Sequence, residues 1–367
     1  MGIKIKLRKV AVNVFLLLVS VFIAFLLGEV FVRIFFKDKI NLFPKYHTDA
    51  HYGDFSLRKI RPDMEFTHTS LDGIFHFKTN NRGFRNNSNI EYKKEPNVIR
   101  ILSLGDSHTQ GYEVNQKQTF SYVAEQLLNK KGFNSTVINA GVSGFGTAEE
   151  LIFLENEGYK YSPDVVVIGF YANDFEDNIK SGFFSLENDS LVIKKHEHLP
   201  GVKIQNYLYK YSLFKFLGEN SYLYTYVFFA LWEFYKAQLT AESKRDLQTQ
   251  YAIRMKERYS GYEKNLANRI LFRLYSFCQQ RNIHLIIIDI PEYDMRSSIP
   301  VDMLQDFRRS SDTLFYSQDM LVDYKQLTST HAQHGQHHIS AETHRLLGEK
   351  IAEYVISHND LRNFSKN

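Results

Sequence analysis

The chain has 367 residues, long enough to bury a large core in one domain with insertions or in two domains. An aromatic content of 15% favours a packed globular protein over a disordered one, and a formal net charge of only +4 argues against nucleic acid as a partner. Cys278 is the single cysteine, so neither an internal disulfide nor a Cys-based metal site is available.

Residues 1–9 form a basic tail carrying Lys4, Lys6, Arg8 and Lys9. From Val10 to Leu27 the run is apolar apart from Asn13 and Ser20, and VFVRIFF at 30–36 prolongs it. This is close to the roughly 20 residues that a bilayer-spanning helix needs. A cleaved signal peptide and a buried helix of a soluble protein are the rivals. No small-x-small cleavage site follows, however, and the apolar region is long for a signal peptide. The pattern therefore predicts an uncleaved anchor over 10–36. The basic cluster before it predicts a cytoplasmic N-terminus, with the remaining chain periplasmic or extracellular. Glu29 and Arg33, four apart, share a face near the outer boundary.

Residues 37–98 scatter Asn, Lys, Pro and Gly among single aromatics, as in KTNNRGFRNNSN at 78–89, and read as a linker and small β-rich lobe. From 99 onward strands and helices alternate. Ile99, Ile101, Leu102 and Leu104 mark a strand buried on both faces, followed by a helix over Phe120–Lys130. A short strand, Thr136–Asn139, runs into the loop AGVSGFGT, and Ala148–Tyr159 is the next helix. VVVIGFY at 165–171 is a third strand, Tyr262–Gln280 a helix, His284–Ile290 a strand, Met320–Tyr324 the last strand and Ala341–Ser357 the terminal helix. This alternation over 99–367 predicts an α/β fold, a three-layer α/β/α sandwich of flavodoxin-like type with a parallel central sheet. An insertion at about 176–261 interrupts it. Its helical, aromatic-rich core, SYLYTYVFFALWEFYK at 221–236, suits a lid, a surface resting on the membrane, or simple packing against the core.

Polar clusters fall at the carboxyl ends of the predicted strands, where open α/β sheets bind ligands. Acyl transfer through a serine needs a base for the hydroxyl proton and donors for the oxyanion. Ser107 follows the first strand and is the nucleophile candidate, with helix capping as its alternative role. Oxyanion donors are sought in the Ser107 N–H, the Gly144 N–H and the Asn173 side chain. The base is sought among His331, His334, His337, His338 and His344. Asp106 reads as a structural hydrogen-bonder within its turn, and His344 as a surface or packing residue. The four histidines at 331–338 invite a zinc reading, but there is no cysteine nearby and no HExxH. Neither a metal nor any other cofactor is expected, and no GxxxxGK[ST], GxGxxG or GxSxG occurs.

GDSHTQG at 105–111, NAGVSGFGT at 139–147, YAND at 171–174 and HHISAETH at 337–344 resemble, in order, the four blocks of the GDSL/SGNH hydrolase superfamily. The resemblance implies Ser107 as nucleophile, Gly144 and Asn173 as oxyanion-hole residues and His338 as catalytic histidine. The anchor, the NNRGFR turn at 80–85 and the insertion are similar to an anchored bacterial subgroup whose members resemble enzymes that remove or transfer acyl groups on envelope polysaccharides. The implied activity is a serine esterase acting on carboxylic esters, O-acetyl groups on a polysaccharide above all. An O-acyltransferase served by a membrane-bound acyl-donor protein and a non-catalytic glycan-binding scaffold are the alternatives. One departure stands out. The family places an aspartate two or three residues before the histidine, and here those positions are Gln336 and Gly335. The group orienting His338 is therefore sought in Gln336, a backbone carbonyl or a distant carboxylate such as Asp323. A Ser–His dyad or a degenerate site is the remaining alternative.

Overall fold

The computed structural model describes residues 2–197, 201–248, 259–293, 296–300, 303, 313–316, 326–358 and 361. The N-terminal apolar run folds into one helix, α1 (Gly2–Phe35). Within it Arg8–Phe35 has a mean hydropathy of 2.9 over its most apolar window, none of which is buried. That length and composition would cross a bilayer.

Residues 37–98 contain two antiparallel hairpins, β1 (His47–Tyr52) with β2 (Phe55–Ile60) and β3 (Glu65–Ser70) with β4 (Gly73–Lys78). They do not stand apart as a lobe. Tyr46, Phe55, Leu57, Ile60, Phe66 and Phe77 are buried in the same hydrophobic cluster as the helices on one side of the main sheet. The NNRGFR turn follows directly. The Asn80 side-chain carbonyl accepts from the Arg82 and Phe84 N–H groups, closing the turn around Gly83, which has φ +83°.

The central domain is built from β5 (Ile99–Gly105), α2 (Ser107–Gln110), α3 (Phe120–Lys130), β6 (Ser135–Asn139), α4 (Thr147–Asn156), β7 (Val165–Phe170) and α5 (Asp174–Ser181). The insertion then contributes a hairpin, β8 (Phe184–Glu187) and β9 (Ser190–Ile193), and the helices α6 (Gly201–Tyr209), α7 (Ser212–Asn220) and α8 (Tyr222–Gln248). The domain resumes with α9 (Gly261–Gln279), β10 (His284–Asp289), β11 (Thr313–Tyr316) and α10 (Ala341–Ser357). The expected last strand at Met320–Tyr324 lies outside the described residues, and β11 at Thr313–Tyr316 holds the sheet edge beside Leu285–Ile288.

Among the described residues the central sheet has five strands, all parallel, in the order β11–β10–β7–β5–β6. Numbered within the sheet this is the 2-1-3-4-5 order of flavodoxin-like folds, and the order reverses between β5 and β7. Strand parity decides what covers each face. Ile99, Ile101, Val165, Val167, Ile286 and Ile288 face α3 and α10, whereas Leu102, Leu104, Val166, Ile168, Leu285 and Ile287 face α4, α5 and α9. Burial of about 1.5–3 kcal/mol per aliphatic side chain on both faces holds the strand ends, and hence whatever follows them, in fixed positions.

Helices α3 and α10 pack closely because Gly348 lets them. A Cβ there would lie 2.7 Å from Val123 Cβ and 2.8 Å from the Phe120 carbonyl oxygen. We expect Gly348→Ala to destabilise the protein by about 1–3 kcal/mol through overpacking, read as a lowered unfolding midpoint in detergent solution.

Candidate active site

The first polar residues after β5 are placed by missing side chains. Gly105 has φ +151°, and a Cβ on either Gly105 or Gly169 of the adjacent strand would occupy the space of the Thr109 side chain. Thr109 fits under the turn, and its hydroxyl donates to the Leu104 carbonyl at 3.3 Å. Asp106 caps the short helix α2, its carboxylate accepting from the His108 N–H at 2.8 Å. Ser107 thus opens a helix at the topological switch point, half-buried.

His338 comes from the loop before α10, and the Ser107 hydroxyl meets its Nε2 at 2.8 Å. Its Nδ1 lies 3.3 Å from Glu113 Oε2, and the Glu113 side chain is fully buried. A carboxylate only accepts, so Nδ1 carries the proton and Nε2 is left to take the serine proton. The imidazole is flanked by the rings of His108 and Tyr112, with centroids at 4.8 and 4.7 Å. His108 itself accepts from the Ile339 N–H at 3.3 Å, and burial keeps its pKa well below the ordinary histidine value.

Glu113 corrects the expectation for the orienting group. Gln336 contributes its main chain instead, its N–H donating to Glu113 at 3.1 and 3.2 Å, and Asp323 lies outside the described residues. The Asn41 side-chain amide donates to Oε1 at 3.2 Å. Burial by itself raises the Glu113 pKa, but the hydrogen bond and charge of His338 and the Gln336 N–H outweigh it and hold the group below the usual glutamate value. A Cβ on Gly335 would overlap Glu113 Oε1, so glycine is required there. The same loop is fastened a second time by Asp72 in the β3–β4 turn, whose carboxylate accepts from the N–H groups of Gln333, His334 and Gly335.

The oxyanion candidates divide. Neither the Ser107 N–H nor the Gly144 N–H has a partner among the described residues. Gly144 has φ +77°, and its carbonyl accepts from Arg58 of β2. Asn173 differs from the expectation of a free donor. Its Nδ2 donates to Asp106 at 3.2 Å and to Asp177 at 3.0 Å, so both amide hydrogens are engaged. Of the three candidates, the two main-chain N–H groups are therefore the ones left without a partner among the described residues.

The remaining histidines disperse. His331 Nε2 lies 3.0 Å from the Pro291 carbonyl, His334 faces Asp72 and His337 Nδ1 faces the Ala332 carbonyl at 3.1 Å. His344 is fully buried rather than at the surface, accepting from the Phe120 N–H at 3.2 Å, and burial pushes its pKa down to about 3. Arg85, from the NNRGFR turn, is a further site residue. Its guanidinium donates to the Gln110, Gly111 and Val114 carbonyls and so shapes the stretch between Ser107 and Glu113.

Behind Ser107 lies a set of buried acids. Burial raises Asp106 to about 6 and Glu149 to about 8. Glu150 is pushed well above its ordinary value by burial and by Asp106 and Glu149, and neither of its carboxyl oxygens has a partner among the described residues.

Glu113→Gln, which cannot serve as a pure acceptor for Nδ1–H, should lower kcat on an acetyl ester by about 10²–10⁴-fold. Gly335→Ala should move kcat the same way, and Gln336→Ala, which keeps the main-chain N–H, should cost at least about ten times less. The folded state keeps a proton on Glu150 that the unfolded chain releases near pH 4.3, so stability falls as pH rises from there toward the folded pKa. Glu150→Gln should therefore show a flatter fall in unfolding midpoint between pH 5 and pH 8 than the wild type, measured by chemical denaturation.

The model of the GDSL-like Lipase/Acylhydrolase family matches residues 101–351. An arylesterase of Vibrio mimicus is 33% identical over 75 residues, covering 20% of this chain and 38% of its relative, so the chain spans well under half the length of that protein. Among solved structures, a lipase/acylhydrolase from Enterococcus faecalis is 15% identical, with a TM-score of 0.39 over 70% of this chain and 95% of the other. A variant of Axe2, an acetyl-xylooligosaccharide esterase from Geobacillus Stearmophilus, is 12% identical, with a TM-score of 0.38 over 71% and 94% of the two chains. By the extent of the family match, the chain belongs to the GDSL-like lipase/acylhydrolase family.

Proposed function

We propose that the protein is a membrane-anchored serine esterase that cleaves O-acetyl esters on an envelope polysaccharide. The reading is carried by one observation, the file of hydroxyl, imidazole and buried carboxylate formed by Ser107, His338 and Glu113, with 2.8 Å and 3.3 Å between successive partners. His338 Nε2 takes the Ser107 proton as Oγ attacks the ester carbonyl, and Glu113 stabilises the imidazolium. The Ser107 and Gly144 N–H groups hold the tetrahedral oxyanion. The imidazolium returns its proton to the departing sugar oxygen, leaving an acyl-serine. Water, deprotonated by His338, then releases acetate. Were a sugar hydroxyl to replace that water, the same site would act as an acyltransferase.

In this reading residues 1–9 are cytoplasmic, 10–36 span the membrane and the domain over 99–367 works on the far side. The junction between anchor and domain supports it. Glu29 accepts from the Ser221 hydroxyl and from the Tyr222 and Leu223 N–H groups at 2.7–3.0 Å, capping α8, while Arg33 donates to the Asn220 carbonyl. Ile204, Tyr207 and Tyr211 near α6, and Val227, Leu231 and Phe234 on α8, are exposed at helical spacing. Such apolar and aromatic stripes beside the end of a spanning helix suit the lipid headgroup region.

The test is hydrolysis of 4-nitrophenyl acetate by the full chain in detergent, with and without a carbohydrate acceptor. The esterase reading expects free acetate, and Ser107→Ala should lose at least about 10³-fold in kcat. Acetylated sugar in place of acetate would establish transfer, and a wild type no more active than Ser107→Ala would overturn both.

A further inference from the structure

A cavity of about 200 Å³ has Gly144, Gln336 and Tyr112 in its wall, and the Tyr112 ring packs on the ring of His338. One side is aromatic, formed by Phe228, Phe229 and Trp232 of the insertion helix α8. The other side is basic, formed by Lys45, His47 and Arg58 from the segment before the main sheet. These basic groups are under-used. Lys45 Nζ lies 4.0–4.8 Å from the ring centroids of Phe43, Phe228 and Phe229 and has no carboxylate within ion-pair distance among the described residues. Burial, with no acidic neighbour to oppose it, pulls its pKa down to about 7. Arg58 Nε is buried without a partner among the described residues, whereas the buried His47 ring has the Gln205 side chain beside it and is held well below the ordinary histidine pKa by burial. Arg58 spends one guanidinium N–H on the Gly144 carbonyl and feels Glu149 and Asp177 only at longer range. Glu233 is the one acidic residue among the described residues of the lining.

Lys45 and Arg58, two cations facing one cavity, carry an unmet demand for acceptors, because buried donors without partners are costly. We propose that this cavity is a substrate subsite for an anionic group, a carboxylate or phosphate carried by the sugar whose ester reaches Ser107, with Lys45 and Arg58 as its charge partners and the α8 aromatics bearing on the sugar ring. The inference rests on the esterase reading and refines it to acidic acetylated carbohydrates. Arg58 has a second consequence, since the residue that meets the anion also holds the Gly144 loop of the oxyanion hole.

The full chain in detergent is assayed on three acetylated substrates, a neutral oligosaccharide, an oligouronide and a sugar phosphate. The wild type should prefer at least one acidic substrate by about 10-fold or more in kcat/KM, and Lys45→Met should abolish that preference; which acidic substrate wins identifies the anion. In the wild type alone, free galacturonate or inorganic phosphate should competitively inhibit cleavage of the neutral ester, whereas galactose should not. Equal kcat/KM on neutral and acidic esters, with no inhibition by either anion, overturns the subsite and leaves the esterase standing. Absence of turnover on all three overturns the esterase reading itself, in which case binding of the intact acidic oligosaccharide, at least about 10-fold weaker in Lys45→Met, still decides the subsite.

Discussion

The carboxylate of Glu113 is fully buried, and it is held on a residue whose own backbone adopts φ +61°. A left-handed conformation at a non-glycine residue costs about 1–3 kcal/mol, and a buried carboxylate is tolerated only when its lone pairs are filled. Here they are filled from three directions, by the Asn41 amide, the Gln336 N–H and the His338 ring. The segment before the sheet, the turn after Ser107 and the loop before the last helix are therefore fastened to one another through a single side chain. Gly335 without a Cβ, Asp72 on the loop amides and Arg85 on the turn carbonyls follow as conditions for that one arrangement.

What could be read from the chain is what is local. Ile99–Leu104 carries its apolar parity and its polar tip in consecutive residues, so both the strand and the position of Ser107 were accessible. The same holds for the strand before Asn173 and for the loop around Gly144. The orienting carboxylate was not accessible, because it stands 225 residues from its histidine and is brought there by two turns, at Gly111 with φ +83° and at Glu113 itself. A signal existed in hindsight, since Glu113 sits between Tyr112 and Val114, both buried, and an acid in apolar company needs a partner. Asn173 misled for a different reason. Its position at a strand end was legible, but the two carboxylates that hold its amide come from a preceding turn and from α5. Arg58 offered no local clue, being one polar residue of an alternating hairpin strand.

The insertion and the hairpins share a task that neither shows alone. Helix α8 begins on the Glu29 carboxylate and continues to Phe228, Phe229 and Trp232 in the cavity wall. Strand β2 brings Arg58 from the other side to the Gly144 carbonyl. The parts that are foreign to a minimal flavodoxin-like sandwich are thus the parts that line the cavity at Gly144, and loops and additions are where a fixed scaffold varies what it accepts.

Asp72 and Glu113 have one more consequence together. Both hold amide hydrogens of the stretch Gln333–Gln336, and both sit below their ordinary values because those hydrogen bonds outweigh the effect of burial. Carboxylates depressed on folding lend stability that is complete above about pH 4–5 and drains away as acid reaches the folded pKa values. Acidification accordingly withdraws two clasps from a single loop at once. Because that loop carries His338, acid loosens the placement of its imidazole beside the Ser107 hydroxyl as well as neutralising its carboxylate neighbour.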